Sequence, residues 1–118
     1  MQPEARLSRK IIDLWTKNGV WCFKVHGSEY QPAGIPDILG VYQGQFIACE
    51  TKMPEGKLSE IQKFRISRIR RAGGLVVVAR SVVEAHQLTY HLMTGEHALC
   101  GEPDAGGCPF SKDTYDER

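Results

Sequence analysis

Two apolar runs, residues 38–42 and 45–52, meet at Gln43-Gly44 and commit the middle of this chain to a β-hairpin. Counting back from that turn, Tyr42 faces Gln45, Val41 faces Phe46, and Asp37 comes to lie opposite Glu50. Side chains paired across strands share one face with Cβ atoms about 4.5–5.5 Å apart. The two-residue period of a strand then brings Lys52 onto that face as well. Two carboxylates held together beside an apolar strand pair destabilise the fold unless a cation stands between them. The hairpin therefore predicts a divalent metal site at Asp37 and Glu50. A one-residue bulge would turn one acid to the opposite face and remove it.

At 118 residues, with 42% hydrophobic and 25% charged side chains, the chain reads as one globular domain with one core. No apolar run approaches the roughly 20 residues needed to cross a bilayer. The first residues lack a basic stretch leading into an apolar one, so a cytoplasmic protein without a membrane partner is expected. Cys22 and Cys49 fall in apolar segments and read as reduced core thiols. His97, Cys100 and Cys108 together are one ligand short of a zinc site.

The net charge of +1 conceals a division. Residues 52–80 hold eight bases against two acids, whereas residues 94–118 hold six acids against two bases. A basic segment beside a metal site suits a phosphodiester partner. A solvated helix face rich in arginine accounts for the same charges equally well.

Pro3 and Glu4 suit a first helical turn, and Asn18-Gly19 ends that helix. Leu7, Ile11, Leu14 and Trp15 form its inward stripe. A strand over 20–26 and a polar loop over 27–34 precede the hairpin. Ser59-Glu60-Ile61-Gln62 is a capping box that opens a second helix, which stops at Gly73-Gly74. Its expected apolar side carries Leu58, Ile61, Ile69 and Ala72, with Arg65 set unexplained among them. Residues 75–79 are nearly all apolar, as a buried parallel strand requires. Ser81 to Glu84 forms another capping box, opening a helix to about Met93. The predicted fold is α/β in the order α-β-β-β-α-β-α, with a mixed sheet flanked by helices. Residues 1–93 form the domain, and 94–118 an irregular acidic tail.

Phosphodiester hydrolysis at such a site needs carboxylates that hold Mg²⁺ or Mn²⁺, both of which favour oxygen ligands. Asp37 and Glu50 supply them, and the Thr51 carbonyl between Glu50 and Lys52 offers a third oxygen. Lys52 supplies a positive charge for the developing phosphorane or a group to orient water.

Pro36-Asp37 followed by Glu50-Thr51-Lys52 resembles the PD-(D/E)xK nuclease motif. Gly34-Ile35-Pro36-Asp37 with Gly56-Lys57-Leu58-Ser59 and Gln62 is more closely similar to the VRR-NUC family, which includes small stand-alone phage and bacterial proteins. The resemblance runs over about residues 4 to 92. It implies a restriction-endonuclease-like core and metal-dependent DNA cleavage, with Asp37 and Glu50 on the metal, Lys52 on water and Gln62 supporting the site. It also implies a metal or water role for Glu4, which equally suits a helix dipole. Lys57, Lys63 and Arg68 would meet the DNA backbone, giving affinity without sequence information.

By that resemblance the chain is expected to be a structure-selective endonuclease on branched or junction-containing DNA, working as a homodimer in the manner of Holliday-junction resolvases. The alternatives are a non-catalytic DNA-binding module on the same fold and a nuclease acting on RNA or on free ends. His26 and Ser28, just before the loop, are left outside the expected site.

Overall fold

In the computed structural model, which describes residues 2–94, three helices enclose a four-stranded mixed sheet. The elements are α1 (Pro3–Lys17), β1 (Trp21–Lys24), β2 (Ile38–Tyr42), β3 (Gln45–Thr51), α2 (Glu60–Arg71), β4 (Leu75–Ala79) and α3 (Val82–Thr94). Their order across the sheet is β1-β2-β3-β4. The first three strands are antiparallel, and β4 joins β3 in parallel through the α2 crossover. The expected order and fold class are both met. His97, Cys100, Cys108 and the expected acidic tail lie outside the described residues.

Gln43 and Gly44 both adopt positive φ, 46° and 83°, which is the mirror-image turn whose twist suits a two-residue hairpin. Tyr42 pairs with Gln45 and Ile38 with Cys49, with no bulge between them. The register read from the turn is thus the register of the fold.

One face of the sheet is sealed by α1 and α3. Leu7, Ile11, Trp15, Ile38, Ile47, Cys49, Val77 and Leu88 form the main core there. Burying each such side chain contributes roughly 1.5–3 kcal/mol. The Trp15 indole N–H donates to the Ala85 carbonyl at 3.2 Å, so the largest core residue leaves no polar atom unmatched. The thiols of Cys22 and Cys49 are both free, and burial raises the pKa of each. Ser8 interrupts the apolar stripe of α1, yet it is buried.

The other face carries α2, rotated from the expected orientation. Ile66 is the buried residue of this helix, packed with Ala48 and Val76, and Leu58 and Ile69 join it. Ile61 and Ala72, expected to face inward, are exposed. The inward line is therefore Gln62, Ile66 and Ile69, one helical stripe whose first member is polar. Arg65 donates to the Ala33 carbonyl at 3.0 Å, which accounts for its place on the helix: it ties α2 to the loop before β2. Gly34 lies on the same path with φ of 80°, and a Cβ there would stand 2.7 Å from the Ile61 carbonyl oxygen. Only glycine permits that approach.

The α2 helix covers only the inner half of its face. Trp21, Val41 and Phe46 are paired across β1, β2 and β3 and so share that face, as does Phe23. Trp21 remains 67% exposed and Phe23 45%. Their rings meet at a tilt of 60°, 5.6 Å between centroids.

Candidate metal and nucleic-acid site

The polar end of the hairpin lies where β2 begins and β3 ends. Asp37 stands one residue before β2, and the register extended by one step sets it opposite Glu50. The backbone N–H of Val25 donates to the Asp37 carbonyl at 2.7 Å, which continues the β1–β2 pairing and fixes the Asp37 backbone. Glu50 is only 3% exposed, near the end of the central strand β3.

Each carboxylate has one oxygen anchored by the protein. Asp37 Oδ2 accepts from the Thr51 backbone N–H at 2.8 Å and from the Thr51 hydroxyl at 2.7 Å. Glu50 Oε2 accepts from Gln62 Nε2 at 3.0 Å, with Lys52 Nζ at 3.9 Å. The two carboxylates also lie within hydrogen-bonding reach of one another. Lys24 Nζ stands 3.8 Å from Asp37 Oδ1. That spacing and the 3.9 Å of the Lys52 pair exceed a direct charge-assisted hydrogen bond. Both lysines are loose counter-ions with donors to spare.

Burial drives the Glu50 carboxyl up to about 7 from the ordinary value of 4.5, and the neighbouring Asp37 raises it further. Lys52 opposes this shift without cancelling it. The donor set is all oxygen: two carboxylates and the carbonyl of the intervening Thr51. Mg²⁺ and Mn²⁺ accept such a set and complete their shells with water or phosphate oxygens. Among the described residues no three His, Cys, Asp or Glu side chains converge, so the site offers two carboxylates at most as a tight set. Glu4 is exposed on the first turn of α1, and its charge reaches Glu50 as a minor contribution to the raised pKa.

Gln62 performs two tasks that the sequence presents as alternatives. Its amide oxygen accepts from the Ser59 backbone N–H at 2.9 Å, closing the capping box, while its amide nitrogen donates to Glu50. The Ser59 hydroxyl completes the box by accepting from the Gln62 backbone N–H at 3.2 Å. The cap thereby orients the amide that holds the buried acid.

Three of the basic residues of segment 52–80 are engaged with backbone carbonyls. Arg65 binds Ala33, Arg70 binds Val76 at 2.8 Å, and Arg80 binds Gly56 at 2.9 Å. Arg80 holds the turn between β3 and α2, while the Glu84 carboxylate accepts from the Arg80 backbone N–H at 2.8 Å, one residue before the partner expected from its capping box. Lys57, Lys63 and Arg68 are exposed on or beside α2. Lys63 pairs with Glu60 at 3.4 Å, and Arg68 lies over the Phe64 ring.

Three features of the site escaped the sequence. The Thr51 side chain does not turn away from Asp37 but binds it, because the Asp37 carboxylate reaches around the end of the sheet. Ser8 on α1 stands 3.3 Å from that hydroxyl, so a chain of contacts runs from α1 to the acid. Lys24 enters through the β1–β2 pairing, whose long connection gave no turn from which to count.

No protein-family model and no curated protein matches the sequence. Among solved structures, a VRR_NUC domain superposes with a TM-score of 0.66 at 24% identity, over 77% of this chain and 98% of that one. The Holliday junction resolvase Hjc of Archaeoglobus fulgidus superposes with a TM-score of 0.51 at 25% identity, over 64% of this chain and 65% of the resolvase. The overlap thus spans about two thirds of the length of Hjc. The fold is that of a VRR-NUC domain.

Proposed function

We propose that this chain of VRR-NUC fold is a metal-dependent, structure-selective DNA endonuclease that hydrolyses phosphodiester bonds in branched or junction-containing DNA. The observation that carries this reading is the acid pair at the end of the sheet. Each carboxylate there has one oxygen fixed by a neighbouring donor, and a lysine stands beside each. The likeness to a VRR_NUC domain and to a Holliday junction resolvase supports the same substrate class.

A bound Mg²⁺ or Mn²⁺ would polarise the scissile phosphate and lower the pKa of an attacking water. Asp37, Glu50 and the Thr51 carbonyl are the groups that would hold it, with Glu4 reaching its water shell from α1. Thr51 and Gln62 keep the two carboxylates from turning away. Lys52, at the edge of the buried pair, stabilises negative charge building on the phosphate or orients water. Lys57, Lys63 and Arg68 offer exposed charge for DNA backbone contacts, which position a duplex without reading its bases.

Two active sites acting on two strands call for a dimer, and the exposed sheet face supports one. Trp21, Phe23, Val41 and Phe46 are all exposed on one face of the first three strands. A standard interface buries about 800 Å² per partner. These side chains would form its apolar centre.

The test is cleavage of labelled four-way junctions, flaps, single strands and RNA, with Mg²⁺, Mn²⁺ or EDTA. Junction cleavage is expected with either metal and not in EDTA. Asp37→Asn should still bind the junction while cutting it at least about a hundredfold more slowly. If wild type binds junctions and cuts nothing, the chain is a DNA-binding module on this fold. If it prefers RNA or free ends, the substrate assignment fails and the metal chemistry stands.

A further inference from the structure

A cavity of about 390 Å³ opens between α1 and β1, next to the acid pair. Its lining is Ala5, Ser8, Arg9, Ile12, Asp13, Lys24 and His26. Ala5 and Ile12 make an aliphatic floor, and Arg9, Lys24 and His26 supply cationic or ring-bearing walls. Asp13, four residues beyond Arg9 on α1, offsets one positive charge, leaving a net of +1 with His26 neutral and +2 with it protonated. The volume lies within the range of ligand-sized clefts.

Two lining residues connect this cavity to the site. Lys24 stands 3.8 Å from Asp37 Oδ1, and the Ser8 hydroxyl lies 3.3 Å from the Thr51 hydroxyl that binds Asp37. A second cavity, of about 440 Å³, adjoins Asp37 among residues 25–35, and its lining holds Glu29 but no lysine or arginine. Of the two cavities beside Asp37, the one on the α1–β1 side is therefore the one lined by lysine and arginine.

We propose that the α1–β1 cavity is a subsite for the nucleotide next to the scissile phosphate, with its phosphate held by Lys24 and Arg9 and its sugar and base over Ala5, Ile12 and the His26 ring. This rests on the nuclease reading. Lys24 is the pivot. In the absence of substrate its ammonium group balances Asp37 across a gap too long for a strong hydrogen bond, so that its donors turn to a phosphate without breaking one. A cation filling the acid pair neutralises Asp37 and frees Lys24 further.

The experiment uses the full chain and a fluorescein-labelled four-way junction in EDTA, with binding measured by anisotropy across a salt series. Lys24→Gln and Arg9→Gln should each weaken binding severalfold at low salt. Each should also reduce the slope of log K against log salt by about 0.9, the increment for one lost phosphate contact. Lys24→Arg should restore the slope. Lys17→Gln, at the far end of α1 and outside the cavity, should leave it unchanged. Melting temperatures within a degree of wild type would show that the variants fold. A Lys24 that only orients Asp37 would alter Mn²⁺ affinity by calorimetry while leaving the salt slope intact, and that outcome overturns the proposal. Unchanged slopes in both glutamine variants of a junction-cutting wild type overturn it as well but spare the nuclease. A wild type that neither binds nor cuts the junction removes both.

Discussion

Gln62 donates to Glu50 from the same amide group whose oxygen closes the cap on Ser59, so one side chain both starts α2 and holds the buried acid. The two roles separate by substitution. Ser59→Ala removes the cap hydroxyl and should cost about 1 kcal/mol of stability, with cleavage nearly unchanged. Gln62→Ala removes the reciprocal cap bond and the support of Glu50. It should lose a similar stability and in addition about 10- to 100-fold in cleavage. Denaturant unfolding with junction-cleavage rates on both variants checks this; equal rate losses would mean that the cap alone matters.

Glu50 gives the metal-free protein a pH dependence of defined sign. Its carboxyl titrates near 7 when folded and near 4.5 when unfolded. Between these values the folded state binds more protons, so stability falls as pH rises from about 4.5 to about 7 and levels off above. The loss is no more than about 3–4 kcal/mol. Glu50→Gln should flatten this dependence and be the more stable protein at pH 8. Mg²⁺ should raise the wild-type melting temperature more at pH 8 than at pH 5. Melting curves that match wild type at every pH would contradict the buried acid pair.

Thr51 holds Asp37 by its backbone N–H and its hydroxyl. Thr51→Val keeps the first bond and the side-chain volume but leaves Asp37 Oδ2 with one donor and the buried Ser8 hydroxyl without this neighbour. A stability loss of about 1–2 kcal/mol is expected, with reduced Mn²⁺ affinity read by calorimetry. Thr51→Ser, which retains the hydroxyl, should recover most of the affinity. Failure of serine to do so would assign the loss to packing.

The exposed face of the first three strands predicts an oligomer that one charge disrupts. Trp21→Arg is expected to shift the protein from dimer to monomer in light scattering after size exclusion, with its melting temperature little changed at low concentration. A wild type that is monomeric at tens of micromolar would exclude this face as a stable interface.

The hairpin was legible in the sequence because a two-residue turn fixes register by counting: from Gln43-Gly44 alone, Asp37 had to come opposite Glu50. Capping boxes and glycine stops likewise marked the helices to within a residue or two, because those signals act through neighbouring backbone groups. The rotation of α2 was legible only in part, in the nearness of Gln62 to Ile69 on the helical wheel; that Ile61 and Ala72 would turn outward was not. Its apolar residues are spread around the helix, and the choice of Gln62, Ile66 and Ile69 as the inner line depends on the acid waiting on β3.

What the chain determined by itself was everything set by local spacing: the element order, the hairpin register, and the placing of two acids and a lysine at one end of a strand pair. Tertiary structure alone decided the rest. Lys24 reaches Asp37 from β1, and Ser8 reaches the Thr51 hydroxyl from α1, across a long connection and a helix packing angle that no local signal encodes. Two arginines of the basic segment, Arg65 and Arg80, bind carbonyls distant from them in sequence, Ala33 and Gly56. Such contacts follow from how whole elements pack, which short-range periodicity does not contain.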